Sequence, residues 1–165
     1  KLQAELGVSK DKAEELFSIY HERVPFVKSL TKSVSNRAQQ RGQIRTLLGR
    51  LCRFHLWEPN QFGIHKALPF DQARQEYGAG IKRAYTYKAL NKLIQGSAAD
   101  MTKKSMLELY KEGIVAHIQV HDELDISVED DIKAKRIKEI MESAVELEIP
   151  NKVDFEKGAN WGDIK

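Results

Sequence analysis

Ala116-His117-Ile118-Gln119-Val120-His121-Asp122-Glu123-Leu124-Asp125-Ile126-Ser127-Val128 is the stretch on which the reading of this chain turns. On either side of His121-Asp122-Glu123, apolar residues alternate with polar ones at the period of a strand: Ile118 and Val120 before, then Leu124, Ile126 and Val128. The pattern predicts two antiparallel strands joined by a tight turn at His121-Asp122-Glu123. Two adjacent carboxylates at the tip of a buried hairpin repel each other and lose solvation, and a divalent cation would offset both costs. A polar turn in open water accounts for the same residues, because Asp is common in turns. Local sequence leaves both readings open.

Outward from the hairpin, charge is unevenly spread. Thr31 to Phe54 holds Lys32, Arg37, Arg41, Arg45, Arg50 and Arg53 without an acid, whereas Asp and Glu outnumber Lys and Arg from Asp122 onward. The net charge of +3 hides this asymmetry. A basic middle and an acidic tail suit a polyanionic partner and a cation bound near the acidic end. A solvated basic helix face accounts for the arginines equally well. With 41% hydrophobic and 31% charged residues the composition is that of a globular domain, not of a disordered or membrane chain. Its 165 residues are enough to bury about two-thirds of the unfolded surface. A lone Cys52 rules out a disulfide framework, and no apolar run reaches membrane-spanning length or resembles a signal peptide. The expected location is the cytoplasm or an organelle, with no secretion and no membrane partner. The chain opens on Lys1 in what reads as mid-element, as a fragment of something longer would.

In chain order, Ser9 is placed to cap a helix reaching about Arg23, with Ala13, Leu16, Phe17 and Tyr20 on its apolar face. Pro25 fits the first turn of a second helix using Val27, Leu30 and Val34, which Gly42 stops after Arg41. Gln43 to Leu48 and Leu51 to Phe54 read as short strands around Gly49, and Trp57 to Phe70 as a loop. Asp71 is placed to cap a short helix ending near Gly78-Ala79-Gly80. Cys52, His55 and His65 match no usual zinc spacing, so no zinc site is expected. Arg83 to Tyr110 carries the longest helical pattern, its inward stripe running through Ala84, Leu90, Leu93, Ile94, Ala98, Met101, Met106 and Leu109. Tyr87, Asn91 and Gln95 lie four apart on another face, just before the small run Gly96-Ser97-Ala98-Ala99. Amides beside small residues suit the recurring acceptors of a DNA minor groove, although exposed polar positions of this kind are common without any such role. Asp131 to Glu148 reads as an amphipathic helix, Lys152 to Lys157 as a last strand, and Trp161 as an anchor for the tail. The order of elements predicts an α+β fold in which an antiparallel sheet packs against long helices.

Three segments now stand in order: Arg45-Thr46-Leu47-Leu48-Gly49-Arg50, Gln95-Gly96-Ser97-Ala98-Ala99-Asp100 and Gln119-Val120-His121-Asp122-Glu123-Leu124. In sequence and spacing they resemble motifs of the family-A DNA polymerases, the bacterial polymerase-I-like enzymes with their phage and organellar relatives. Lys1-Leu2-Gln3-Ala4-Glu5-Leu6 resembles the segment just after the nucleotide-binding helix of the fingers. The resemblance covers nearly the whole chain and is weakest from Trp57 to Gly80.

The resemblance implies a DNA-templated DNA polymerase acting on primer–template DNA and dNTPs with two Mg2+ ions. Residues 1–42 would be distal fingers helices, and residues 43–165 the C-terminal part of the palm with its acidic hairpin. It implies that Asp122 is a catalytic metal ligand and that Glu123 supports the site beside it. His121, Gln95 and Asn91 would contact the primer–template minor groove, with Arg45 and Arg50 near the DNA. Tyr87 departs from the pattern, since many relatives carry Arg there, which implies that this touch on the DNA is missing or altered. The family's other metal aspartate and its nucleotide-binding helix would lie upstream of Lys1. The chain alone would then hold half of the site and be inactive without the upstream part of the polymerase. Two alternatives stay open at this point: a non-catalytic DNA-binding half of a split polymerase, or another two-metal nucleotidyltransferase or nuclease.

Overall fold

In a computed structural model, residues 2–164 are described; Lys1, which opens the Lys1–Leu6 stretch, and Lys165 lie outside them. The chain forms two compact units, Lys1–Arg45 with Gly49–Leu93, and Thr46–Leu48 with Ile94–Lys165. Among the described residues, helices alternate with three small antiparallel sheets, so the α+β expectation holds, with the sheet in separate pieces. Among the described residues, no helix is long and apolar enough to cross a membrane.

The first unit begins with helices α1 (Leu2–Leu6), α2 (Lys10–Arg23) and α3 (Pro25–Arg41). The Ser9 hydroxyl accepts from the Lys12 amide at 3.3 Å, satisfying one of the amide groups left over at the start of α2. Pro25 opens α3, where its missing N–H costs nothing. Gly42 closes α3 in the left-handed region at φ 67°, its N–H bonded to the Ala38 carbonyl at 2.9 Å. The chain then turns directly into β1 (Gln43–Arg45), which pairs with β2 (Leu51–Arg53). Val34, Ala38, Ile44, Phe54 and Ala89 form the core of this unit. The apolar face expected on α2 is only partly used: Ala13 is buried, but Leu16, Phe17 and Tyr20 stay exposed, as does Leu30 on α3.

The segment read as a loop from Trp57 to Phe70 contains two strands, β3 (Leu56–Pro59) and β4 (Leu68–Pro69). A third, β5 (Ile81–Arg83), pairs with the other side of β3, and its last residue, Arg83, is where the long helix was predicted to begin. Pro59 misled the reading because proline cannot donate to a sheet. It sits where β4 no longer pairs, opposite Ile81 alone, so no amide is missed there. Arg83 fastens the region: its guanidinium lies 4.5 Å from the Trp57 ring centroid and donates to the Phe54 carbonyl at 2.9 Å. Helix α4 (Phe70–Tyr77) begins after Pro69, with Asp71 in its first turn and no side-chain cap. A short 3-10 turn, Thr86–Lys88, leads into α5 (Ala89–Lys111), so the long helix starts six residues later than the pattern predicted.

In the second unit, hairpin strands β6 (Ile118–Val120) and β7 (Glu123–Asp125) are followed by α6 (Asp131–Ser143). The Asp130 carboxylate caps α6 by accepting from the Lys133 amide at 2.7 Å. The core is Leu109, Ile114, Ile137 and Ile140, with Leu124, Ile126 and Met141 packed against it. The helix ends five residues short of the predicted Glu148, where the Ser143 hydroxyl bonds back to the Glu139 carbonyl at 2.7 Å. Lys152 to Lys157 does not form the expected strand. Side chains hold it instead: Glu142 accepts from the Val153 amide at 3.0 Å, and Lys157 donates to Asp131 at 2.6 Å. Trp161 lies in a short 3-10 turn and is mostly exposed, so it does not anchor the tail.

This packing has two measurable consequences. A Cβ on Gly42 would fall 2.6 Å from the Arg83 guanidinium carbon, in a backbone conformation side chains avoid. Gly42→Ala is therefore expected to destabilise by about 1–3 kcal/mol in urea unfolding; an unchanged midpoint would mean that Arg83 moves aside freely. In the second unit, Arg136 donates to Glu112 at 2.5 and 3.0 Å. These hydrogen bonds and the guanidinium charge hold the Glu112 carboxyl below its ordinary 4.5. Lys104 and Lys111 lower Glu108 in the same way, and Lys157 lowers Asp131. Each group binds protons more weakly when folded, so its contribution is complete above the unfolded value and is lost as pH falls through the folded one. Thermal stability should decline as pH drops below about 4.5, and less steeply in 1 M salt, because these groups are exposed and screened.

Candidate active-site hairpin

The hairpin forms as the alternation predicted, but its register and exposure differ from the expectation. Ile118 pairs with Asp125, Gln119 with Leu124, and Val120 with Glu123, which leaves a turn of two residues, His121 and Asp122. Glu123 is therefore the first residue of β7 and not part of the turn. Directly opposed residues share a face. Ile118 and Val120 thus lie with Glu123 and Asp125, and Gln119 lies with Leu124. Each face of the hairpin carries apolar residues. Leu124 and Ile126 pack on the core, while Ile118 and Val120 remain 42% and 37% exposed. A buried hairpin was expected. Among the described residues β6 is exposed throughout.

His121 takes φ 55°, the left-handed conformation that hairpin turns of this length need at their first central position. Gln119 Nε2 donates to the His121 carbonyl at 3.0 Å, and His117 Nε2 lies 3.1 Å from Ser127 Oγ across the strands. His121, Asp122 and Glu123 are all solvent-exposed at this tip. Asp125 differs: its Oδ2 is buried without a hydrogen-bond partner, although the residue was not singled out from sequence. The strand period was the available signal, since it puts Asp125 on the same face as Glu123. A groove of about 870 Å³ is lined by Met101, Ser105, Asp122, Glu123, Asp125 and Phe155, and also by Leu124 and Ile126 of the other face.

Of the three segments the sequence set in register, two are joined by hydrogen bonds within the second unit. The Thr46 hydroxyl donates to Asp100 Oδ2, and the Leu47 amide donates to Ser97 Oγ at 3.0 Å. Thr46 and Asp100 are both buried. Sequence reasoning noted the segments and missed this contact. Arg45 and Arg50 belong to the first unit, where Arg45 donates to the Gly49 carbonyl at 3.0 Å. Asn91 and Gln95 project from α5, both exposed and one turn apart. Ile94 and Ala98, predicted to face inward, are exposed as well, so Asn91, Ile94, Gln95 and Ala98 make one open stripe.

Magnesium takes hard oxygen ligands and retains water, so a carboxylate at an open turn fits it. Among the described residues, however, no three of His, Cys, Asp and Glu come together as a metal site. The exposed Asp122 carboxylate is of the kind such an ion takes and would be one part of a donor set.

The family model for DNA polymerase family A matches residues 1–163. A DNA-directed DNA polymerase of Pseudomonas phage M6 is 37% identical over 149 residues, which span 90% of this chain and 19% of that protein. DNA polymerase I of Bacillus caldotenax is 32% identical over an alignment of 173 positions, which covers 99% of this chain and 18% of that protein. The chain thus spans about a fifth of the length of these curated relatives. Among solved structures, the polymerase domain of Pol1 from M. smegmatis, in complex with DNA primer-template and dNTP, is similar over 90% of this chain and 25% of that one. Its TM-score is 0.65 at 27% identity. A match across nearly every residue, carried by relatives of both phage and bacterial origin, means that this chain belongs to DNA polymerase family A.

Proposed function

We propose that this chain is the C-terminal part of a polymerase domain that extends a primer 3′ end on a DNA template, using dNTPs. The observation that carries the reading is the exposed two-residue turn presenting Asp122 beside Glu123, in a chain matched by the family model over residues 1–163. Asp122 is the metal ligand of the reading, and Glu123 supports the primer end next to it. The chemistry magnesium supplies at such a site is activation of the primer hydroxyl and neutralisation of the leaving pyrophosphate by two ions about 4 Å apart. With fewer than three candidate ligands together among the described residues, the second carboxylate is assigned to a part of the polymerase beyond these 165 residues. The 165 residues alone are then inactive.

Residues 1–42 are assigned to the distal fingers and 43–165 to the palm. The open stripe of Asn91, Ile94, Gln95 and Ala98 suits a minor groove, because its amides donate to acceptors that recur in every sequence and its small residue permits close approach. His121, beside Asp122 at the turn, completes that contact near the primer end. Arg45 and Arg50 supply phosphate contacts, which hold DNA without regard to sequence. The working location is wherever such DNA is copied, the cytoplasm of a bacterial or phage-infected cell or an organelle.

In the complete enzyme, Asp122→Asn is expected to lower primer extension by roughly two or more orders of magnitude while primer–template binding persists. Extension near the wild-type rate would remove Asp122 from the metal site. Gln95→Ala is expected to slow extension from matched and mismatched primers unequally, because a minor-groove donor senses the geometry of the terminal pair. Equal losses on both primers would argue against groove sensing.

A further inference from the structure

The junction between β5 and α5 has an unusual construction. Ala84 is buried, and its N–H extends the sheet by bonding the Leu56 carbonyl at 2.8 Å. At the next residue the chain reverses into the 3-10 turn, with Tyr85 at φ 61° and its carbonyl accepting from the Lys88 amide at 3.0 Å. Glycine makes such a reversal without strain, whereas an aromatic side chain there is an outlier. Strain of this kind persists where something other than stability selects the residue. The Lys88 ammonium lies 5.2 Å from the Tyr85 ring centroid and 5.5 Å from that of Tyr87, so one cation gathers two aromatic rings. Burial does not account for them, since Tyr85 is 39% and Tyr87 69% exposed. Among the described residues, Lys88 has no carboxylate at ion-pair distance, so its charge is uncompensated. Tyr87 lies four residues before Asn91, in the 3-10 turn that leads into α5.

We propose that Tyr85, Tyr87 and Lys88 form a stacking platform for an unpaired nucleotide of the DNA, the rings taking the base and the ammonium the adjoining phosphate. The inference rests on the reading of this chain as part of a DNA-extending enzyme. Open aromatic faces beside a free cation are the chemistry by which single strands are held, because every base has a π-face and every nucleotide a phosphate. The nucleotide is unpaired because bases inside a duplex already have neighbours on both faces.

The test measures affinity of the complete polymerase for three DNAs: a primer–template with a 5′ overhang, a blunt duplex and a single strand. The Tyr87→Ala variant is expected to bind the overhang and the single strand roughly five- to a hundredfold more weakly, with the blunt duplex little changed. Tyr87→Phe, which keeps the ring, should stay within about twofold of wild type on all three. Tyr85→Gly relieves the strained backbone, so it is expected to weaken overhang binding while the melting temperature holds or rises. Lys88→Gln should lower the slope of log Kd against log salt by about one. An unchanged slope would overturn the phosphate contact. If Tyr87→Ala binds the overhang as wild type does, or loses equally on overhang and blunt duplex, the platform is overturned and the polymerase reading stands. If the wild-type enzyme binds none of the three DNAs, both fall together.

Discussion

A two-residue turn governs the candidate site. With His121 and Asp122 alone between the strands, Val120 must face Glu123, and every later pairing is set. A turn one residue longer would exchange the faces of β7, because side chains alternate with a period of two. In the observed register, Leu124 meets the core of Leu109, Ile137 and Ile140, while Glu123 and Asp125 look along the groove. Packing Leu124 and Ile126 on the core is thus what puts Glu123 and Asp125 on the opposite face, Glu123 exposed and Asp125 with one carboxylate oxygen buried. The apolar residues of β7 serve as the fixture for the acids between them, and Asp122 takes its place at the tip because both strands end there.

Elements whose signals are local were legible in the sequence. Ser9, Pro25 and Gly42 bound their helices as expected, because caps and left-handed stops act over a few residues. The hairpin was legible from alternation alone. Its facing was not, because alternation gives the period of each strand and leaves the turn length undetermined. Strands β3, β4 and β5 were missed because each is short and contains or adjoins proline or a charged run. What makes them strands is mutual pairing together with the stacking of Arg83 on Trp57. The predicted inward stripe failed at Ile94 and Ala98 because a helical period marks apolar positions without saying which of them the fold buries.

The contact of Thr46 with Asp100 joins two of the recognisable segments physically. A buried carboxylate is costly unless hydrogen-bonded, and the Thr46 hydroxyl supplies such a bond. The Leu47 amide, donating to Ser97, ties the same segment to the same helix. Gly96, Ser97, Ala98 and Ala99 keep that part of α5 slim, and the serine among them makes the bond. The small run that first read as a place for close backbone approach is used in that way by the chain's own residues 46 and 47. The side chains of α5 that remain exposed, Asn91 and Gln95 foremost, are those the fold itself leaves without a packing duty.

Among the described residues, the two with positive φ that are not glycine are Tyr85 and His121. Each costs about 1–2 kcal/mol relative to glycine at the same backbone angles, apart from the greater chain entropy that glycine loses. Six other positions of positive φ, Gly42 and Gly49 among them, are occupied by glycine, so the sequence uses the unstrained solution elsewhere. His121 lies beside the proposed metal ligand, and Tyr85 lies at the entry to the helix bearing Asn91 and Gln95. A sequence selected for stability alone would place glycine at both. Strained side chains kept at these two reversals are outliers that stability alone does not explain, and that is the physical ground for looking to function at each.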